Sequence, residues 1–512
     1  MIRNSFKKVI FRKGNLKRTR FILIGLVLFA ILFAGCKPKA SGTASAPAEK
    51  VKLTFLCQVN VDTEGKDIND NEYIDFIRNQ NNLDITLISE SANYNQKVMT
   101  VMASGDLPDY IQVSKAQMFQ FADAGLIIPL DNFLDATKYP HLMKGVSQQL
   151  WDYSKVNGKV MGVPFGRYDQ TPYCIWTWKS WLDNVGMKPE DLKTVDDYTE
   201  LFRRYTEGDP NRSGKKDTYA LYGCNAATNE RYLGLPIQDA FGAGSHQVIN
   251  GEVIPRFITE GYKAYLKQLA MYYRNGYIVP DYITRTQNDA ESEHFAGKTG
   301  IYNAFWSLSG RANYRDQMVQ LPPPQKVDGS GPSKLIYESP IRHYIVISTA
   351  CKTPERIIQM YDWSETDTGS VFVHAGVEGL DWTMNNGKLE MLPNRAGINW
   401  AWRFITLGHQ KSIVDDQLAP LLELSWGKDA IDQLKYTETT GTNDPIAQAA
   451  PVFQQLADYD LQSLTDQYFN QAVMNQVDVD ATWDDYVSRF RSSGGNEWIR
   501  LYTDWYNKDY KK

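Results

Sequence analysis

Histidine and cysteine are scarce in this chain, six and five of 512 residues. There is no HExxH, no histidine pair at helical spacing and no CxxC, so the ligand patterns of a zinc hydrolase are missing. Cys57, Cys174, Cys224 and Cys351 stand far apart in apolar contexts and read as buried free thiols, with two disulfides as the alternative. Also missing is an apolar run of the roughly 20 residues that a membrane helix needs; Phe21 to Phe33 stops at 13. There is no internal repeat. Positive charge is not in excess either: 55 Lys and Arg stand against 60 Asp and Glu, a net charge of −5. A chain of that balance offers no footprint for nucleic acid.

What is there begins with the leader. Arg3, Lys7, Lys8, Arg12, Lys13, Lys17, Arg18 and Arg20, with no acid among them, precede the apolar run, which closes on Ile31–Cys36, ILFAGC. Basic, then apolar, then small residues is the order of a secretory signal. The small Ala34 and Gly35 ahead of Cys36 resemble the bacterial lipobox, with Phe33 where leucine is usual. The resemblance implies that Cys36 is lipidated and becomes the first mature residue. Two acyl chains, at about 0.8 kcal/mol per buried methylene, hold a protein on a membrane far longer than one. Without the eight leader bases the balance is 47 basic to 60 acidic residues, a net −13.

Residues 37–50, KPKASGTASAPAEK, carry no large apolar side chain and read as a flexible tether. From Val51 the pattern changes. VKLTFL alternates as a strand, NDNEYIDFIRNQNN is an amphipathic helix, and LDITLISE is a second strand. YNQKVMTVMASGD follows as a helix ending near Gly105, then PDYIQV as a strand and KAQMFQFADAG as a helix closed by Gly125. This alternation predicts a parallel sheet wrapped by right-handed crossovers. TPYCIWTW and RHYIVIS read as later strands, MVQLPPPQKVDGSGPSKL as an exposed loop, and the last 60 residues as amphipathic helices on the second lobe. The GKT at Gly297 lacks the earlier glycine of a phosphate loop, since position 292 is Ser.

SGDLPDYIQV, ADAGLIIPLDNFL, NGKVMGVPFG, WLDNVGMKPEDLKTVDDYTELF and HAGVEGLDW together resemble the extracellular solute-binding proteins of family 1, and in particular the large Gram-positive lipoproteins that serve carbohydrate ABC importers. The resemblance implies an α/β, two-lobed periplasmic-binding-protein-like (type II) fold with a hinge and a ligand cleft between the lobes. The expected division is a signal peptide at 1–35, a tether at 36–50, a first lobe from 51–165 and about 300–350, and a larger second lobe from 166–299 and about 351–512.

Under that resemblance the chain leaves the first lobe at NGKVMGVPFG, where Gly162, Pro164 and Gly166 interrupt a strand, and Arg167, Tyr168 and Asp169 fall at the mouth of the cleft. Trp176 and Trp178 follow, with a core position as the alternative for each. GKTGIYNAFW becomes a strand with Trp306 at its end, where open α/β sheets bind ligands, and Trp306 is the foremost stacking candidate. Trp382, Trp400 and Trp402 complete the set. Indole faces suit the apolar C–H faces of a pyranose, and polar side chains suit its hydroxyl rim.

Asp209-Pro-Asn-Arg-Ser-Gly-Lys-Lys-Asp217 matches the start of an EF-hand loop: Asp209, Asn211 and Ser213 at positions 1, 3 and 5, Gly214 at 6, the carbonyl of Lys215 at 7 and Asp217 at 9. Position 12 is Ala220, without the bidentate glutamate. Alginate-binding members of the resembled family are similar here and imply a structural Ca2+, with an acidic residue at the tenth position where this chain has Thr218. The alternative is a polar surface turn.

The reading as a whole is a non-enzymatic, monomeric, lipid-anchored protein on the outer face of a Gram-positive cytoplasmic membrane. It captures a carbohydrate by lobe closure and delivers it to ABC permease subunits. A receptor subunit for signalling or for a peptide is the alternative. A surface glycoside hydrolase, needing two carboxylates roughly 5 to 9.5 Å apart, has no local signature.

Overall fold

A computed structural model of the chain describes residues 49–58, 65–90, 93–166, 173–225, 229–305, 314–336, 339, 341–393, 405, 423 and 430–511. The leader, Cys36 and the tether up to residue 48 lie outside the described residues. No described helix is long and apolar enough to cross a membrane.

Local signals build the first lobe. Strand β1 (Val51–Cys57) buries Leu53, Phe55 and Cys57. Helix α1 (Glu72–Asn81) opens on Asn71, whose side chain accepts from the N–H groups of Tyr73 and Ile74, and buries Tyr73, Ile74 and Ile77. After β2 (Leu83–Ser89), α2 (Tyr94–Ser104) stops at Gly105, which takes the left-handed φ of +74° that ends a helix cheaply. β3 (Tyr110–Val113) leads to α3 (Lys115–Asp123), started by a capping box between Ser114 and Gln117. The chain then passes α4 (Pro140–Gly145), α5 (Gln148–Tyr153) and the hairpin β4 (Lys155–Val156) and β5 (Lys159–Val160) to reach β6 (Val163–Gly166).

The second lobe is organised on β7 (Tyr173–Trp178), all six residues of which are buried. Helices α6 (Lys179–Val185), α7 (Val195–Glu207), α8 (Asn229–Gly234), α9 (Glu260–Arg274) and α10 (Gln287–Phe295) follow, with the hairpin β8 (Gln247–Ile249) and β9 (Glu252–Ile254) between α8 and α9. β10 (Ile301–Phe305) and β11 (Met318–Leu321) both pair antiparallel with β7. β12 (Leu335–Ile336) is the last strand before the chain returns to the first lobe as β13 (Ile341–Ile347).

The first sheet has the order β2-β1-β3-β13-β6. β1 is parallel to β2 and β3, but β13 runs antiparallel to β3 and β6. The sheet is therefore mixed where a parallel one was expected, because β13 enters from the other lobe and not through a helical crossover on its own face. Met318–Leu321 is likewise a strand inside the segment expected as a loop, held by pairing to Trp178 through Ile175.

Each sheet carries its own core. The expected lobe boundaries are corrected at two places. Residues 301–305 and 314–336 belong to the second lobe, with Ile301, Tyr302, Met318 and Leu335 in its core. Helices α11 (Pro354–Ser364) and α12 (Asp367–Ala375) belong to the first, where Ile357, Ile358 and Tyr361 are buried and the Tyr361 hydroxyl donates to that of Tyr110 at 3.1 Å. After the hairpin β14 (Trp382–Asn385) and β15 (Lys388–Met391), the chain re-enters the second lobe with α13 (Ala430–Thr440).

A short stretch then ties the lobes together. β16 (Gly441–Thr442) pairs with β12. Asp444 accepts from the N–H of His246 in the second lobe and caps α14 (Pro445–Ala449). Lys115 of the first lobe donates to the carbonyls of Gln448 and Ala450 at 2.6 and 2.7 Å. The last helices, α15 (Leu461–Val473), α16 (Val479–Phe490) and α17 (Asn496–Trp505), pack on the second core as amphipathic elements.

Candidate functional site

In the first sheet β1, β3 and β6 end, and β13 begins, on one edge; Ile341 lies opposite Gly166 and Tyr344 opposite Val113. That edge is where the chain leaves for the second lobe. It arrives at the N-terminal end of β7, where Tyr173 lies opposite Phe305 at the end of β10. Ligands of open α/β sheets bind at such strand ends, so these two edges are the candidate site.

On the first edge Phe165 and His343 stack with ring centroids 4.3 Å apart and planes 10° from parallel. Burial, helped by Arg342, lowers the His343 pKa to about 3, so the imidazole is neutral at physiological pH. Gln112 accepts from the N–H of Gln58 at 2.8 Å, and its carbonyl accepts from Tyr94 Oη.

On the second edge the half-buried Arg231 of α8 lies over two tyrosine rings, its guanidinium carbon 4.4 Å from the Tyr173 centroid and 4.6 Å from that of Tyr232. Its Nη1 donates to Tyr173 Oη at 2.6 Å and its Nη2 to Tyr232 Oη at 2.8 Å. Two anchors fix this short helix. Asn303 of β10 donates to the carbonyls of Tyr232 and Arg231 at 2.8 and 3.3 Å. Glu230 forms a bidentate pair with Arg256 at 2.6 and 2.7 Å. Gly234 ends the helix where a Cβ would lie 1.6 Å from the Tyr265 hydroxyl. The result is a permanently charged, donor-rich group on an aromatic bed at a sheet end.

Three expected contacts are corrected. Trp176, Trp178 and Trp382 are 1, 6 and 9% exposed, so none presents a ring face to a solute. Trp178 donates to the Thr299 carbonyl at 3.1 Å and stacks on His294, and Trp382 donates to the Gly376 carbonyl at 3.0 Å. Trp176 and Trp178 are core residues because all six residues of β7 are buried, and Trp382 is buried with its indole N–H committed to a carbonyl. Arg167, Tyr168, Asp169, Trp306, Trp400 and Trp402 lie outside the described residues. Sequence reading missed Arg231, since 58 residues separate it from Tyr173 and no local motif marks the pair.

The four cysteines of the described chain are free thiols. Cys57 is fully buried and its pKa is pushed up to about 12.

The loop with the EF-hand pattern adopts much of that pattern's turn. Asp209 Oδ1 and Oδ2 accept from the N–H groups of Ser213 and Gly214 at 2.9 Å each, and Gly214 takes φ +72°. Ser213 Oγ donates to Asp217 Oδ1 at 2.8 Å, while Lys298 Nζ lies 2.5 Å from Asp217 Oδ2. The hydrogen bond from Lys298 comes first among the causes that lower the Asp217 pKa to about 2. Thr218, at the tenth position, turns into the core and donates to the Tyr205 carbonyl at 2.8 Å, and Ala220 is fully buried. Of the oxygens such a loop would offer (Asp209, Asn211, Ser213, the Lys215 carbonyl and Asp217), only Asp209 and Asp217 are carboxylates, Asp217 is paired with Lys298, and position 12 adds none. Among the described residues no three His, Cys, Asp or Glu side chains converge as a metal site.

A model of the bacterial extracellular solute-binding protein family matches residues 72–326, from α1 to just past β11. The chain is 23% identical to the polygalacturonan/rhamnogalacturonan-binding protein YtcQ of Bacillus subtilis, over 96% of this chain and 99% of that protein. Among solved structures, the Streptococcus pneumoniae ABC-transporter substrate-binding protein FusA in complex with kestose superposes with a TM-score of 0.68 at 19% identity, covering 89% of this chain and 99% of FusA. An EF-hand mutant of FusA in complex with fructo-nystose superposes with the same TM-score of 0.68. The alginate-binding protein AlgQ2 without calcium ion superposes with a TM-score of 0.66 at 16% identity over 90% and 99%. These likenesses show the fold, the two-lobed type II arrangement of solute-binding proteins.

Proposed function

Because the chain belongs to the bacterial extracellular solute-binding proteins, we propose that it captures an oligosaccharide between its lobes and delivers it to the permease of an ABC importer. The observation that carries this reading is the Tyr173, Arg231 and Tyr232 assembly at the strand ends of the second lobe. A sugar needs a flat face beneath its ring and donors at its rim, and the half-buried Arg231 guanidinium, backed by two buried tyrosine rings, offers its plane and its N–H groups. An acidic, galacturonate-containing oligosaccharide is the class to test first. YtcQ, aligned over nearly the whole of both chains, is named for polygalacturonan and rhamnogalacturonan, and a guanidinium binds a carboxylate through two parallel hydrogen bonds.

Capture requires no covalent chemistry. A ligand that touches both lobes only when they are closed favours closure by that difference in affinity, and the closed surface then differs from the open one for a permease. Arg167, Tyr168, Asp169, Trp306, Trp400 and Trp402 are the further contacts of this reading, and lipid on Cys36 holds the monomer on the outer face of the cytoplasmic membrane.

The test is intrinsic fluorescence of the unit Lys50–Lys512, which contains both cores, titrated with galacturonate oligomers and with neutral oligosaccharides. A saturable change at micromolar oligosaccharide with no cleavage product is expected. Silence across the panel from folded protein would overturn carbohydrate capture and favour a peptide ligand or a signalling receptor, and product formation would make the protein a hydrolase.

A further inference from the structure

The polar loop after α7 is closed by a lysine that comes from 81 residues away. Lys298 follows α10, and its main chain is clamped to the loop on both sides: the Tyr219 N–H donates to the Lys298 carbonyl at 3.0 Å, and Asn211 Nδ2 donates to the Gly297 carbonyl at 3.2 Å. From there the ammonium reaches Asp217 Oδ2, while Ser213 Oγ holds Oδ1 of the same carboxylate. The position that a divalent ion would share with Asp217 and Ser213 thus lies beside the Lys298 ammonium.

We propose that in this protein the Lys298 ammonium takes the place of a calcium ion in the loop Asp209–Asp217, and that the loop folds without calcium. The remaining donors agree with this assignment. Thr218, at the tenth position, is committed to the Tyr205 carbonyl, and Ala220, at the twelfth, offers no oxygen ligand from its side chain, so Asp209 and Asp217 are the only carboxylates of the loop. An ammonium carries one charge, which the Asp217 carboxylate balances, whereas calcium needs six to eight oxygens and a larger excess of negative charge.

The experiment is the thermal unfolding midpoint and calorimetric calcium titration of the full chain in detergent, in millimolar CaCl2 and in EDTA. For the wild type the two midpoints agree within about 1 °C and no binding heat appears. A site filled at about a hundredfold excess over its Kd would raise the midpoint by several degrees, and that result overturns the proposal. In Lys298→Glu, a carboxylate replaces the ammonium, the midpoint falls in EDTA and calcium restores it. If Lys298→Glu folds yet calcium leaves its midpoint unchanged, the ammonium is not what occupies the cation position and the proposal fails. Should that variant not fold, the wild-type titration alone decides.

Discussion

At the scale of single residues, Arg231 and His294 carry the sharpest consequences. Arg231 keeps its charge at every accessible pH, so Arg231→Met removes a cation while leaving a stem to cover Tyr173 and Tyr232. Affinity for a galacturonate oligomer should fall tenfold or more, since a lost charged hydrogen bond is worth about 1.5–3 kcal/mol. Affinity for a neutral oligosaccharide should change less; equal losses for both would contradict an acidic ligand. His294 is fully buried between Trp178 and Tyr302, each ring centroid 5.0 Å away, with Nδ1 3.0 Å from Thr299 Oγ1. Burial lowers its pKa to about 3. The folded imidazole stays neutral while the unfolded one takes a proton below about pH 6.5. Its contribution is therefore complete above pH 6.5 and is lost as pH falls toward 3, at up to about 1.4 kcal/mol per pH unit. Urea unfolding at pH 7 and pH 5 should show a smaller difference for His294→Phe than for the wild type; an unchanged difference would remove His294 as the cause.

At the scale of elements, α8 and the lobe-tying stretch depend on distant partners. Glu230 and Arg256 are both largely buried, so Arg256→Met leaves an uncompensated carboxylate and should cost roughly 3–5 kcal/mol in denaturant unfolding. Glu230→Gln in the same background should recover part of that loss, because the stranded charge is gone. Lys115 is mostly buried, and desolvation lowers its pKa to about 8. Lys115→Met strands the Gln448 and Ala450 carbonyls and should destabilise by roughly 1–3 kcal/mol, read from the urea midpoint; an unchanged midpoint would show that the tie is not formed in solution. These elements also divide what sequence could tell. β1 to α3 were legible because alternation and the caps at Asn71, Gly105 and Ser114 are local signals. The antiparallel β13, the return of α11 to the first lobe and the Arg231–Tyr173 pair were not, because each depends on contacts between distant segments. The loop at Asp209 was legible as a turn, but its closing lysine was not.

At the scale of the whole molecule, two cores are tied by residues 441–450, and capture as proposed requires them to move relative to one another. The family and the two-lobed fold were legible in dispersed short strings, whereas lobe membership of residues 301–305, 314–336 and 354–375 required contacts between distant segments. Trp176 and Trp178 show why aromatic content alone misleads: in a strand buried on both faces, indole is packing material. The measurement that tests capture by closure most directly is small-angle X-ray scattering of the unit Lys50–Lys512 with and without saturating galacturonate oligomer. A saturable decrease in radius of gyration, shifted to higher ligand concentration in Arg231→Met, is the predicted result. Binding with no change in radius, or no response to any oligosaccharide from folded protein, would contradict it.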